Sequence, residues 1–162
     1  MLPLKKILCP TNFTEAADAA LSVAAELAAA FSAELVLLHV VEPAAVTVRP
    51  SEGAATAPID TGLAGRLLVA CAEERLRQLA EERLPKQLRT QARAVFGNAA
   101  SQIVEVADEE KVDLIVIATR GRTGLARLLF GSVTESVVRL PSCPVLAINW
   151  RSPEEARAGA AP

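Results

Sequence analysis

Continuous apolar runs, rather than alternating apolar and polar residues, form the candidate strands of this chain. The two clearest are ELVLLHVV at residues 34–41 and VDLIVIA at residues 112–118. Runs of this kind form strands that are buried on both faces, as in parallel sheets. Because such a sheet needs a layer of helices on each face, the runs favour an α/β architecture.

Helical segments separate these runs along the whole chain. We predict strands at residues 4–9, 34–41, 90–96, 112–118 and 144–150, and helices at residues 15–31, at 63–84, after Asn98 and at 132–140. This alternation predicts a doubly wound α/β domain with a parallel sheet and helices on both faces. At 162 residues the chain is long enough for one such domain, at residues 1–150, followed by a flexible tail at residues 151–162.

Two asparagines stand where helices are expected to begin. Asn12 has capping-box spacing to Glu15, and Asn98 follows the turn glycine Gly97. Ser132 and Glu135 have the same capping-box spacing. The faces that we expect to pack inward carry Ala20, Ala24, Leu27 and Phe31 in the first helix and Leu68, Ala72, Leu76 and Leu79 in the second.

One connection, residues 42–61, has no apolar periodicity and contains Pro43, Pro50, Pro58 and Gly53. A connection of this length inside a compact domain is usually disordered or forms a mobile flap over a site. We expect it to be mobile when no ligand is bound.

Composition and charge exclude several classes of protein. A hydrophobic content of 51% excludes a largely disordered chain, and no apolar run is long enough for a membrane span. A net charge of −2 gives no reason to expect nucleic acid or an anionic membrane as a partner. The N-terminal residues MLPLKKILCPTNF do not have the apolar region of a signal peptide, so we expect a cytoplasmic location.

The stretch ATRGRTGLARLLFGSVTE, at residues 118–135, is the strongest candidate for a functional site. It follows a buried strand, passes through Gly121 and ends in a helix that begins after Gly131. The free N–H groups at a helix N-terminus attract anions, and the arginines beside Gly121, Arg120 and Arg122, are placed to attract phosphate. For Arg127 we favour a solvated basic face.

A second loop is expected at the same edge of the sheet. Pro10, Thr11 and Asn12 follow the first strand, as the Gly121 loop follows the fourth strand. In doubly wound sheets, ligands bind beyond the carboxyl ends of the strands, where the strand order reverses. The pattern therefore brings the two loops together at one candidate site.

The sequence offers little for catalysis. It contains no GxxxxGK[ST] loop, no paired carboxylates in a glycine-flanked site and no Ser-His or Cys-His spacing that would indicate a nucleophile. The single histidine, His39, is interpreted as a packed or hydrogen-bonded residue. Cys9, Cys71 and Cys143 are widely spaced, and we expect buried, inert thiols with no disulfide or metal site. We do not expect an enzyme.

The motifs resemble those of the universal stress protein family over nearly the whole chain. The resemblance is carried by ILCPTNF at residues 7–13, LLHVVEP at 37–43, ATRGRTGLARLLFGSVTE at 118–135 and CPVLAI at 143–148. In the nucleotide-binding branch of that family, strand four is followed by Gly, two residues, Gly, nine residues and then Gly-Ser or Gly-Thr. Gly121, residues 122–130 and Gly131-Ser132 keep this register.

The resemblance implies a five-stranded parallel sheet in the order 3-2-1-4-5, a homodimer, and ATP binding, with Mg²⁺, in some members. It implies phosphate contacts at Gly121, Gly131, Ser132 and Thr134, and an adenosine end near Pro10, Asn12 and Val40. The complete set of candidate nucleotide-binding residues is Pro10, Thr11, Asn12, Val40, Ala118, Arg120, Gly121, Arg122, Gly131, Ser132, Val133 and Thr134.

Two residues depart from the pattern of the nucleotide-binding branch. Ala118 replaces the first glycine of the motif, which adds a methyl group where the backbone approaches the ligand. Asn12 replaces the usual aspartate, so it brings no charge, although its carbonyl oxygen still accepts hydrogen bonds. Both changes bear on whether this chain binds ATP.

Two functions are therefore compatible with the sequence, with a third as a weaker alternative. The first is a stress-response, ATP-binding regulatory module that forms a homodimer through the last strand, residues 144–150, and contacts an unknown protein partner. The second is a ligand-free dimer of the same fold that acts through protein–protein contacts alone. The weaker alternative is a slow ATP hydrolase.

Overall fold

The computed structural model describes residues 4–43, 61–120, 132–139 and 141–150. Within these ranges, nine elements alternate between strands and helices. They are β1 (Lys6–Pro10), α1 (Glu15–Phe31), β2 (Glu34–Val41), α2 (Thr61–Arg83), β3 (Thr90–Phe96), α3 (Ala99–Glu109), β4 (Leu114–Arg120), α4 (Ser132–Arg139) and β5 (Val145–Trp150).

The five strands form one parallel sheet in the order β3-β2-β1-β4-β5. The central strand β1 pairs with β2 on one side and with β4 on the other, so that Leu8 lies opposite both Val36 and Ile115. This arrangement confirms the predicted α/β class and the strand order that the family resemblance implies.

Helices cover both faces of the sheet. Alternate residues of the inner strands point to opposite faces, so each strand contributes apolar side chains to two cores. On one face, Ile7 and Leu37 belong to a core packed with residues of α1 and α2. On the other face, Leu8 and Val36 belong to a second core, with residues of α3 and α4. The inner strands are buried on both sides, as their continuous apolar runs predict.

The first helix corrects one predicted cap and part of one predicted face. Its N-cap is Thr14, not Asn12, and the Thr14 side chain accepts a hydrogen bond from the Ala17 amide. The inward face consists mainly of alanines, whereas Phe31 is 40% exposed. Phe31 is the last residue of the helix, and the chain turns at Ser32 in a left-handed conformation, so the phenyl ring lies at the end of the core.

The second helix is buried only in part. Ala72 and Leu76 are buried as predicted, but Leu68 is 37% exposed. The buried stripe of α2 is formed by Gly65, Ala72 and Leu76, and Leu68 lies at its edge. Cys71 lies outside this stripe and is exposed, which corrects the expectation of a buried thiol. Cys9 is buried and Cys143 is half-buried.

Other boundaries differ by one or two residues. The fourth strand is shifted to Leu114–Arg120 from the predicted 112–118, because Val112 and Asp113 form the turn that joins α3 to the sheet. Asn98 caps α3 as predicted. Most of the 42–61 connection, Leu140 and the predicted tail 151–162 lie outside the described residues. In the described ranges, no helix is long and apolar enough to cross a membrane.

Candidate functional site

The candidate site lies where the strand order reverses. From β1 the chain proceeds to β2 and β3 on one side of the sheet, whereas β4 and β5 lie on the other side. The crevice between the carboxyl ends of β1 and β4 is therefore the topological switch point of the sheet, where ligands bind in folds of this class. A cavity of about 230 Å³ opens at this point.

Seven of the sequence-predicted site residues line this cavity. They are Pro10, Thr11, Asn12, Val40, Ala118, Val133 and Thr134. Ser132 is the first residue of α4 and is exposed, but it is not part of the cavity wall. Gly121, Arg122 and Gly131 lie outside the described residues, as does the side chain of Arg120. Sequence reasoning thus placed the β1 loop, β2, β4 and α4 at one site.

The loop after β1 is held to β2 by backbone hydrogen bonds. The Thr11 amide donates to the carbonyl oxygen of Leu38 at 2.8 Å, which continues the β1–β2 pairing one residue beyond the strand. The Thr11 hydroxyl oxygen accepts a hydrogen bond from the Phe13 amide at 3.0 Å. Phe13 itself has φ of 59°, a left-handed conformation that is uncommon for a bulky residue. The loop is therefore a tight turn that is held by hydrogen bonds to β2 and within itself.

His39 closes the same turn from β2. Its Nδ1 atom lies 2.8 Å from the carbonyl oxygen of Thr11. Its ring contacts the ring of Phe13 at a centroid distance of 4.6 Å, and the Arg75 guanidinium of α2 lies 4.0 Å from the centroid of Phe13. The interpretation of His39 as a packed, hydrogen-bonded residue is confirmed, although His39 is also part of the cavity wall.

Asn12 forms a short hydrogen-bond chain with the start of α1. Its Oδ1 atom accepts from the Thr14 amide at 3.3 Å and from the Thr14 hydroxyl at 2.7 Å. The Thr14 hydroxyl oxygen in turn accepts from the Ala17 amide at 3.4 Å. Asn12 therefore supports the helix N-cap without being the cap itself, and it lies exposed at the cavity rim.

On the other side of the cavity, Thr134 joins α4 to the end of β4. Its hydroxyl donates to the carbonyl oxygen of Ala118 at 3.3 Å, and the residue is only 5% exposed. A hydroxyl has one proton to donate. Donation from this hydroxyl to a phosphate requires the bond to Ala118 to break, so the backbone N–H is the more accessible donor of Thr134.

Three helix N-termini lie at this edge of the sheet. Helices α1, α3 and α4 each follow a strand and begin at its carboxyl end, so their positive dipole ends lie on the same side of the sheet. The N-terminus of α3 already has an acidic partner, because a Glu42 carboxylate oxygen accepts from the Ala99 amide at 3.3 Å. Glu42 is the acidic residue among the described residues that line the cavity.

Sequence reasoning missed several residues of the cavity wall. The polar ones are Thr14, His39 and Glu42, and the apolar ones are Ala16, Ala17, Leu38, Ala99, Ile103 and Ile117. Glu42 had a usable signal, since a polar residue directly after a buried strand lies at the carboxyl edge of a parallel sheet. Ile103 and Ile117 had none, because an apolar residue that lines a cavity follows the same periodicity as one in the core.

The described wall suits binding better than covalent chemistry. Cys9 lies in the core and does not line the cavity. Burial raises the pKa of its thiol to about 12, so the thiol is a poor nucleophile. Within the described ranges, no group of three His, Cys, Asp or Glu residues is placed to hold a metal ion. A mostly apolar wall with a few polar groups is typical of small-molecule sites.

Comparison with known proteins agrees with this fold. The family model described as the universal stress protein family matches residues 3–149. Universal stress protein MJ0531 of Methanocaldococcus jannaschii is 33% identical over 145 residues, which are 90% of this chain and 82% of the relative. Universal stress protein MJ0577 of the same organism is 28% identical over 161 residues, which are 91% of this chain and 96% of the relative.

Two solved structures extend the comparison to three dimensions. The structure of MJ0577 superposes with a TM-score of 0.74 and 27% identity, over 93% of this chain and 99% of that chain. A universal stress protein solved in complex with cAMP superposes with a TM-score of 0.64 and 22% identity, over 91% and 98% of the two chains, and this likeness concerns the fold alone. Together, the family match and the relatives show that this chain belongs to the universal stress protein family.

Proposed function

We propose that this protein is an ATP-binding regulatory module of the stress response that acts as a homodimer in the cytoplasm. One observation carries the proposal: the cavity at the switch point of the sheet is lined by seven of the twelve candidate nucleotide-binding residues. These residues come from four elements or loops that are distant in sequence.

The wall of the cavity supports an adenosine end at β1 and β2. Pro10, Val40 and Ile117 offer apolar surface to a flat base, while Thr11 and Asn12 offer polar groups at its edge. The volume of about 230 Å³ is below the roughly 300–1,000 Å³ of complete ligand sites, so the described residues enclose part of a nucleotide. In this proposal the phosphates extend toward the N-terminus of α4.

The proposed dimer uses β5. This strand is at one edge of the sheet, where N–H and C=O groups remain available for pairing with a second copy. Leu146 on β5 is 37% exposed, and Val138 of α4 is also exposed. Trp150, the only tryptophan, ends the same strand, so its fluorescence reports on this edge. Sedimentation at micromolar concentration should give a dimer, and a monomer with emission unchanged on dilution contradicts this part of the proposal.

The alternative function is a dimer that binds no nucleotide. Ala118 and Asn12 favour it, because each departs from the pattern of the nucleotide-binding branch. Rapid hydrolysis is not part of the proposal. A fast ATPase needs metal ligands and a group that orients water, and no cluster of candidate metal ligands is present among the described residues.

Nucleotide content separates the two functions. Purified protein is denatured by heat and the supernatant is analysed by anion-exchange chromatography, while Mg-ATP is titrated into a second sample by calorimetry. The proposal predicts released adenine nucleotide or saturable binding near one site per chain. Absence of both in a folded dimer establishes the alternative.

A further inference from the structure

The side chain of Asn12 has a fixed orientation at the rim of the cavity. Its Oδ1 atom accepts from the Thr14 amide at 3.3 Å and from the Thr14 hydroxyl at 2.7 Å. Because a backbone N–H can only donate, the atom facing it has to be the carbonyl oxygen and not the amide nitrogen. The Thr14 hydroxyl donates its proton to Oδ1, and the hydroxyl oxygen accepts from the Ala17 amide.

This orientation decides what Asn12 can offer to a ligand. An amide oxygen has two lone pairs, and both are used by Thr14. The Nδ2 amide group remains, with two N–H donors and no hydrogen bond to any described residue. The carbonyl oxygen of Asn12 accepts, as the sequence indicates, but its donors are those of Thr14, so the group left for a ligand is a donor.

We propose that Asn12 is a specificity-determining residue that donates an N–H bond to the lone pair of a ring nitrogen in the base of the bound nucleotide. The inference rests on the proposed nucleotide binding. An aspartate in the same orientation presents a carboxylate oxygen, which accepts from a hydroxyl or an amine. The asparagine thus reverses the polarity of the contact that the ligand meets.

The substitution Asn12→Asp isolates this contact. An aspartate oxygen accepts from Thr14 as Oδ1 does, so the turn and the cap of α1 are retained, and a negative charge near a helix N-terminus does not destabilise the fold. Only the Nδ2 amide changes, to an oxygen that repels a lone pair. Mg-ATP affinity, measured by calorimetry, should fall by about tenfold, which corresponds to the loss of one hydrogen bond to an acceptor.

Asn98 supplies a matched control. Its Oδ1 atom accepts from the Ser101 amide at 3.1 Å and from the Ser101 hydroxyl at 3.2 Å, the same pair of donors that Thr14 offers to Asn12. It caps α3 at the same edge of the sheet but is not part of the cavity wall. Asn98→Asp adds the same charge to the protein and should leave the affinity for Mg-ATP within about twofold of the wild type, about 0.4 kcal/mol by the usual conversion.

Analogues of ATP identify the accepting atom without any change to the protein. Deaza analogues each lack one ring nitrogen of the base. One of them should bind wild type about tenfold more weakly than ATP, and this loss should disappear in Asn12→Asp. If every analogue loses as much in the variant as in the wild type, the inference is wrong.

The outcomes separate this inference from the proposed function. If wild type binds no nucleotide, both fail. If wild type binds Mg-ATP and Asn12→Asp binds it equally well or more tightly, the proposed function stands and the role of Asn12 as a donor is refuted. A loss of affinity in Asn98→Asp as large as that in Asn12→Asp also refutes it, because the effect is then one of charge.

Discussion

The Nδ1 atom of His39 lies 2.8 Å from the carbonyl oxygen of Thr11, so a side chain of β2 is bonded to the loop that follows β1. Because the carbonyl oxygen can only accept, Nδ1 carries the proton. The same imidazole contacts the ring of Phe13, which lies next to the Arg75 guanidinium of α2. The cavity wall is thereby connected to a helix on one face of the sheet.

We predict that this contact stabilises the fold. His39→Ala removes the hydrogen bond and the ring contact and should lower the free energy of unfolding by about 2 kcal/mol. His39→Phe keeps a ring beside Phe13 and should lose only about 1 kcal/mol. Urea denaturation followed by circular dichroism measures both values. If His39→Ala unfolds at the wild-type midpoint, the contact contributes nothing to stability.

The buried hydroxyl of Thr134 provides a second test. Thr134→Val keeps the volume of the side chain but leaves the carbonyl oxygen of Ala118 without its donor, so we expect a loss of about 1 kcal/mol in the free energy of unfolding. Ser136→Ala is the control in the same helix, because its hydroxyl bonds within the helix to Ser132 at 2.9 Å. It should have little effect. Equal stability of Thr134→Val and wild type contradicts the assigned bond.

The three thiols should differ in reactivity. Cys71 is exposed on α2 and should react first with a thiol reagent at pH 8, followed by the half-buried Cys143. Cys9 should react only after unfolding, because burial raises the pKa of its thiol to about 12. Mass spectrometry of the labelled peptides gives the order. Early labelling of Cys9 shows that the core around β1 opens readily.

Stability in acid should depend on Glu110. Its carboxylate lies 2.7 Å from the Lys6 ammonium and 3.1 Å from the Arg93 guanidinium, and the hydrogen bond from Lys6 is the main cause that lowers the pKa of Glu110. A carboxyl with a lowered pKa in the folded state stabilises the fold above its ordinary pKa of 4.5, and this contribution is lost as the pH falls through the lower, folded-state value.

Glu110→Gln should therefore be less stable than wild type at pH 7, by about 1 kcal/mol after solvent screening. The difference should shrink as the pH falls from 4.5 toward the lowered folded-state pKa of Glu110. Thermal unfolding at a series of pH values measures it. A difference that stays constant with pH means that the charge of Glu110 is not responsible.

The sheet was the most predictable part of the fold. β2 and β3 are predicted to the residue. β2 has the continuous apolar run of a buried parallel strand and ends where that run ends, whereas β3 is an edge strand of mixed composition that ends before Gly97. The buried face of α2 was predicted less well. The spacing of Leu68 to Ala72 and Leu76 fits an inward face, but the buried stripe is centred on Gly65, Ala72 and Leu76, so Leu68 lies at its edge.

The candidate site was predictable in its position and less so in its bonds. Pro10, Val40 and Ala118 could be assigned to one cavity because parallel strands end at one edge of the sheet. The hydrogen bonds of Asn12 could not be predicted, because the local sequence indicates neither the left-handed conformation of Phe13 nor the N-cap at Thr14.

If ATP occupies the cavity at the end of β4, as proposed, its affinity should depend on the side chain at position 118. Ala118 lies in the cavity wall, so its side chain limits the space for the ligand. Ala118→Gly removes a methyl group from this wall, and Ala118→Val adds two methyl groups while keeping a residue that favours strands. Ala92→Val makes the same change on β3, away from the cavity, and serves as the control.

The measurement is the calorimetric affinity of Mg-ATP for the four proteins. We predict the order Ala118→Gly, then wild type together with Ala92→Val, then Ala118→Val, with a loss of about tenfold in Ala118→Val, equivalent to about 1.4 kcal/mol. If wild type and Ala118→Val bind Mg-ATP equally well, the nucleotide does not occupy this cavity and the account of the site is wrong.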